Sequence, residues 1–135
     1  TINAIPAAHE TVERDDQNRC RFIGLVIEFG DWTIYHSGDT MLFDGMVDRL
    51  KLWNIDIALL PINGRAPERR VSGNLWGREA AQLANDIGAH TVIPCHYDMF
   101  EFNTESPNEF VAECEILKQS RRVLRCGERF ALSAK

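Results

Sequence analysis

The stretch from Arg21 to His36 constrains the fold more than any other part of the chain. An apolar run (Phe22, Ile23, Leu25, Val26, Ile27, Phe29) reaches Gly30-Asp31, and a second run, Trp32 to His36, leaves it. Two such runs joined by a Gly-Asp pair form a β-hairpin, because those residues accept the backbone angles of a two-residue turn. The hairpin sets strands Arg21–Phe29 and Trp32–His36 side by side and delivers the chain into Ser37-Gly38-Asp39-Thr40. A carboxylate is thereby placed on a glycine turn where a strand ends.

The remaining pattern extends this sheet. Ile55 to Pro61 and Thr91 to Cys95 are short and continuously apolar, as strands covered on both faces are. Helical spacing runs from Phe43 to Trp53 through Met46 and Leu50. It recurs from Trp76 to Ile87 through Ala80, Leu83 and Ala84, with Gly88 as the C-terminal cap. Ser106-Pro107 opens a third helix that continues to about Gln119, serine as N-cap and proline in the first turn. Ile2 to Pro6 forms a short leading strand, and Val123–Arg125 and Arg129–Leu132 form two more around Cys126-Gly127. The sequence therefore predicts an α/β layer with helices covering a mixed sheet. Its 135 residues contain no repeat and no linker, so a single domain is expected.

Charge and cysteine usage narrow the partners. A net charge of -5 and a pI near 5.3 argue against a nucleic-acid or anionic-membrane surface. The basic residues are also scattered, with Arg69-Arg70 and Arg121-Arg122 as pairs rather than patches. No apolar run approaches the roughly 18 to 20 residues that span a bilayer. No basic, apolar leader opens the sequence either, so a cytoplasmic location is expected. Cys20, Cys95, Cys114 and Cys126 form no CxxC pair and read as free thiols of a reducing compartment.

Chemistry-bearing residues recur at strand ends. Pro6-Ala7-Ala8-His9-Glu10 follows the first strand, Tyr35-His36-Ser37-Gly38-Asp39-Thr40 the hairpin, and Pro94-Cys95-His96-Tyr97-Asp98 the last buried strand. Imidazoles and a carboxylate gathered at one sheet edge can hold a metal, and Mn²⁺ or Zn²⁺ accepts such donors. Each residue alone has a second reading. Asp39 suits a turn that binds local backbone N–H groups. His96 can bond a neighbouring loop, with Asp98 orienting it or capping the turn, and His9 can simply face solvent. His36 and His90 read as structural or solvent-facing. No nucleophile elbow and no phosphate-binding loop is present.

Four ordered segments together carry a resemblance: Pro6-Ala7-Ala8-His9, His36-Ser37-Gly38-Asp39-Thr40, Leu60-Pro61-Ile62-Asn63-Gly64-Arg65 and Pro94-Cys95-His96-Tyr97-Asp98. From about Ile2 to Phe110 the chain resembles the C-terminal half of a metallo-β-lactamase-fold hydrolase, in the branch of L-ascorbate-6-phosphate lactonase. The resemblance implies an αββα sandwich with a two-metal centre holding Mn²⁺ or Zn²⁺. It implies that His9 ligates one metal, Asp39 bridges both and His96 ligates the second, with Thr40 and Asp98 supporting them. Asn63 and Arg65 would line the mouth for a small-molecule substrate, and the Arg65 fork would suit a phosphate or carboxylate. The reaction implied is the opening of a sugar-derived lactone by metal-activated water. The family's His-x-His-x-Asp-His segment is absent from the sequence. The chain is therefore expected to need an upstream half, to be inactive alone and to self-associate through the uncovered sheet. Hydrolysis of another ester or a phosphodiester, or a non-catalytic module, are the alternatives.

Overall fold

The computed structural model describes residues 1–132. Five strands form one mixed sheet in sequence order: β1 (Ile2–Pro6), β2 (Ile23–Phe29), β3 (Trp32–His36), β4 (Ile57–Pro61) and β5 (Thr91–Cys95). The expected hairpin is present, with Phe29 opposite Trp32 and Gly30 at φ 54°. β1 also pairs antiparallel with β2, while β4 joins β3, and β5 joins β4, in parallel. β1, β3, β4 and β5 consequently all run in one direction. Their carboxyl ends share one edge of the sheet, and that edge receives every candidate site loop.

Register decides which residues enter the core. Val26, Tyr35, Ala58 and Val92 lie opposite one another across four strands and are fully buried. α2 (Gly77–Asp86) packs on β4 and β5, and α3 (Asn108–Leu117) packs on α2. Ala80, Leu83, Ala84 and Phe110 thereby join the same core cluster. The other face holds the rows Ile2, Ile27, Ile34 and Leu25, Leu59, Ile93. On it Leu25, Ile27, Ile34 and Leu59 stay half-buried and Ile2 is 67% exposed. The continuous apolar patterns of β4 and β5 led to the expectation of cover on both faces; Ile57 and Ile93 are buried on this face too, at 7% exposure each, while Leu59 stays half-buried.

Other differences have local causes. The helix expected over Phe43 to Trp53 is shortened to α1 (Met46–Leu50), because Gly45 takes φ 78° at its start. α3 begins at Asn108 rather than at Pro107, and Ser106 Oγ accepts the Asn108 N–H at 3.2 Å. The two strands expected at Val123–Arg125 and Arg129–Leu132 do not form. Arg121 makes a single bridge to Val92 on the free edge of β5, after which the chain turns at Gly127 with φ 81°. Gly88, at φ 69°, follows α2 as its sequence position implied.

Candidate metal centre

Three donor side chains meet at the shared sheet edge. His9 Nε2 lies 3.5 Å from Asp39 Oδ2, and His96 Nε2 lies 3.4 Å from the same oxygen. The two rings are sheltered, at 27% and 19% side-chain exposure, while the carboxylate is 42% exposed. These separations are long for hydrogen bonds, which cluster near 2.9 Å. They match donors sharing a cation: two bonds of about 2.1 Å at a tetrahedral angle place the donor atoms about 3.4 Å apart. Among the described residues, no three His, Cys, Asp or Glu side chains close into a single metal-holding group. The trio is instead two pairs sharing one carboxylate.

Backbone packing fixes where Asp39 stands. Gly38 takes φ 64°, and a Cβ there would lie 2.7 Å from the Ile23 carbonyl oxygen. Gly24 on the neighbouring strand is equally crowded, since its Cβ would meet the Ser37 carbonyl oxygen at 2.7 Å. Only glycine allows these two segments to approach so closely.

Thr40 then ties the Asp39 turn to the His9 loop. The Ala8 N–H donates to Thr40 Oγ1 at 2.9 Å, the Thr40 hydroxyl donates to the Met41 carbonyl at 2.8 Å, and the Met41 N–H donates to the Ala8 carbonyl at 2.7 Å. Phe22 adds an edge-on contact to the His9 ring, with centroids 5.5 Å apart. The resemblance implied a supporting role for Thr40, whereas the Phe22 contact had no signal in the sequence beyond its place in the hairpin.

His96 is aimed by its backbone. His96 and Asp98 take φ 58° and 55°, left-handed angles that are uncommon for non-glycine residues. The Asp98 N–H donates to Thr104 Oγ1 at 2.8 Å. Asp98 does not hold the imidazole as one reading expected, since His96 Nδ1 is buried without a hydrogen-bond partner. Cys95 beside it remains a thiol: burial, reinforced by the Asp39 carboxylate, pushes its pKa up to about 12. His36 and His90 stand apart from the centre. His36 Nδ1 accepts the Gly38 N–H at 3.0 Å, and His90 Nδ1 lies 3.3 Å from Thr91 Oγ1.

The two residues expected at the substrate mouth are otherwise engaged. Asn63 is fully buried and its amide donates to Asn103 Oδ1 at 3.2 Å. Arg65 lines a cleft of about 380 Å³ with Glu10, Met41 and Val71. Its fork is closed on Glu79 through two bonds of 2.7 Å, and it also donates to the Asn74 carbonyl at 3.0 Å. Glu79 additionally accepts the Trp76 N–H at the start of α2. Burial alone would raise the Glu79 pKa, but the Arg65 and Trp76 bonds outweigh it and hold the carboxyl below its ordinary value. A free anion-binding arginine was expected, whereas a neutral ion pair is present.

The mixed sheet with its covering helices is an α/β arrangement of the metallo-β-lactamase fold, as a sequence profile and a solved structure both show. The sequence profile described as "Beta-lactamase superfamily domain" matches residues 1–97, and the chain belongs to that family. A UPF0173 metal-dependent hydrolase of Pyrobaculum aerophilum is 35% identical over 104 residues, covering 77% of this chain and 43% of the relative. One from Bacillus thuringiensis is 33% identical over 112 residues, covering 81% and 44%. The solved structure of Igni18, a metallo hydrolase of Ignicoccus hospitalis, superposes with a TM-score of 0.78 at 27% identity, covering 99% of this chain and 53% of that one. The chain thus spans about half the length of the proteins it matches.

Proposed function

We propose that this chain supplies one half of a metal-dependent hydrolytic centre and that the complete protein opens a cyclic ester, a sugar-derived lactone being the leading substrate class. The observation that carries this reading is the convergence of His9 Nε2 and His96 Nε2 on Asp39 Oδ2. The names of the curated relatives support a metal and a hydrolysis. The donor set suits Zn²⁺ or Mn²⁺, with His9 on one ion, His96 on the other and Asp39 between them. A bound divalent metal supplies the Lewis acidity that makes a water nucleophilic near neutral pH and polarises an ester carbonyl. The protein's own part is positional. Gly38 and Thr40 hold the carboxylate and the His9 loop in register, and the left-handed turn at His96 brings the second imidazole to the same oxygen.

The half-exposed apolar face of the sheet supports a further partner, either additional chain completing the fold or a second copy. Among the described residues no helix is long and apolar enough to cross a membrane, and four free thiols fit a reducing cytoplasm. Phosphorylated lactones lose their proposed anchor, because Arg65 is neutralised by Glu79. The test is a pH-indicator assay of γ-lactone opening by the metal-loaded full-length protein and its Asp39→Ala variant. Hydrolysis that disappears together with bound metal in the variant supports the reading; full activity in Asp39→Ala rejects it.

A further inference from the structure

A second cleft, of about 670 Å³, opens directly beside His96. Cys95, Tyr97, Met99, Phe100 and Leu124 supply its apolar walls, and it is large enough for a drug-sized ligand. Met99 and Phe100 are 62% and 48% exposed, in a loop tied down at both ends. The tethers are the Asp98 N–H to Thr104 Oγ1 bond, the Asn103 N–H to Phe100 carbonyl bond and the Asn63–Asn103 bond. Across the cleft, the Tyr97 hydroxyl donates to the Leu124 carbonyl and fixes the opposite wall. The apolar side chains are therefore presented by a braced loop rather than by a loose one.

The cleft carries one charge of each sign. Arg125 shares this cleft with the Asp98 carboxylate. On the other side of Asp39, Arg65 is closed on Glu79, and Arg69 pairs with Glu105. Arg65 and Arg69 are thus closed to a phosphate or carboxylate, and in the cleft itself the single guanidinium, Arg125, is offset in formal charge by the Asp98 carboxylate. We infer that the cleft is the subsite for an uncharged, apolar substituent of the substrate, with Met99, Phe100 and Leu124 setting its size. This rests on the hydrolase reading above and makes it more specific: the ester acted on is neutral and carries an alkyl or aryl group, which seats against Phe100 while its carbonyl lies toward His96.

The test is binding, so that it stands apart from turnover. Octanamide, neutral and non-hydrolysable here, is titrated into ¹⁵N-labelled full-length protein, with octyl phosphate as the charged comparison. Saturable shifts confined to residues 95–102 and 124–126 are expected, with octyl phosphate binding at least fivefold more weakly. Phe100→Ala and Leu124→Ala should each weaken octanamide by about tenfold, the loss expected when a large apolar contact is deleted. Phe100→Leu should recover most of that loss, which a general folding defect would not allow. Shifts elsewhere, no saturation, or octyl phosphate binding as tightly as octanamide would overturn the subsite. Octanamide binding that survives alongside an absence of metal-dependent hydrolysis would sink the proposed reaction and leave the subsite standing.

Discussion

Thr40→Val is the sharpest perturbation of the candidate centre, because it removes one hydroxyl and keeps the side chain's shape. That hydroxyl accepts the buried Ala8 N–H and donates to the Met41 carbonyl. Leaving a buried N–H unpaired costs about 1–3 kcal/mol, and losing a partly buried hydrogen bond costs about 0.5–1.5 kcal/mol more. The expected destabilisation is therefore about 1.5–4.5 kcal/mol, read as a shift in urea midpoint at unchanged slope. Thr40→Ser keeps the hydroxyl and should lose less than about 1.5 kcal/mol, the range of one deleted methyl. Because Ala8 precedes His9, the same variant should also weaken Zn²⁺ or Mn²⁺ binding by more than the serine variant does. A Thr40→Val midpoint within error of the wild type would refute the idea that this hydroxyl joins the two donor loops.

Three further outcomes follow from the same geometry. Gly38→Ala should destabilise by about 1–3 kcal/mol and reduce metal affinity, since alanine meets both a left-handed φ and the Ile23 carbonyl; a stable variant with normal affinity would contradict the close-approach argument. Tyr35→Phe should be neutral or stabilising by up to about 1–2 kcal/mol, because the Tyr35 hydroxyl is buried without a partner. A loss of more than about 1 kcal/mol would show a hydrogen bond there after all. For Glu79, whose folded pKa is held below its ordinary value of 4.5, the sign follows from linkage. Its contribution is fully present above that value and is lost as pH falls through the lower folded pKa. Acid titration of stability should accordingly flatten below pH 4.5 in Glu79→Gln, and an unchanged acid limb would remove the Arg65 pair from the account.

Much of this architecture was legible because short-range signals carried it. Gly30-Asp31 marked the hairpin, the apolar runs marked β4 and β5, and Ala80, Leu83 and Ala84 marked the buried side of α2. The donor edge was legible for the same reason: His9, Asp39 and His96 each follow a strand, and strands that run together bring their ends together. What escaped were contacts decided at long range. Arg65 looked like a free anion anchor, and nothing local showed that Glu79, 14 residues on, would close its fork. Asp98 looked able to orient His96, but both residues take left-handed angles, His96 Nδ1 is left without a hydrogen bond and the Asp98 N–H donates to Thr104. The apolar residues from Val123 onward had strand character without an available ladder, since β5 accepts a single bridge at Arg121. Gly45 shortened α1 through a positive φ that helical spacing does not reveal.

The central claim is that His9, Asp39 and His96 act together on a metal, and the four histidines of this chain provide their own controls. Imidazole ¹⁵N resonances can be followed while Zn²⁺ is titrated into the protein. The Nε2 signals of His9 and His96 should move together, Asp39→Ala should abolish both responses, and His36 and His90 should stay in place. Movement of His36 or His90 instead, or coordination of His9 and His96 that survives Asp39→Ala, would contradict that claim.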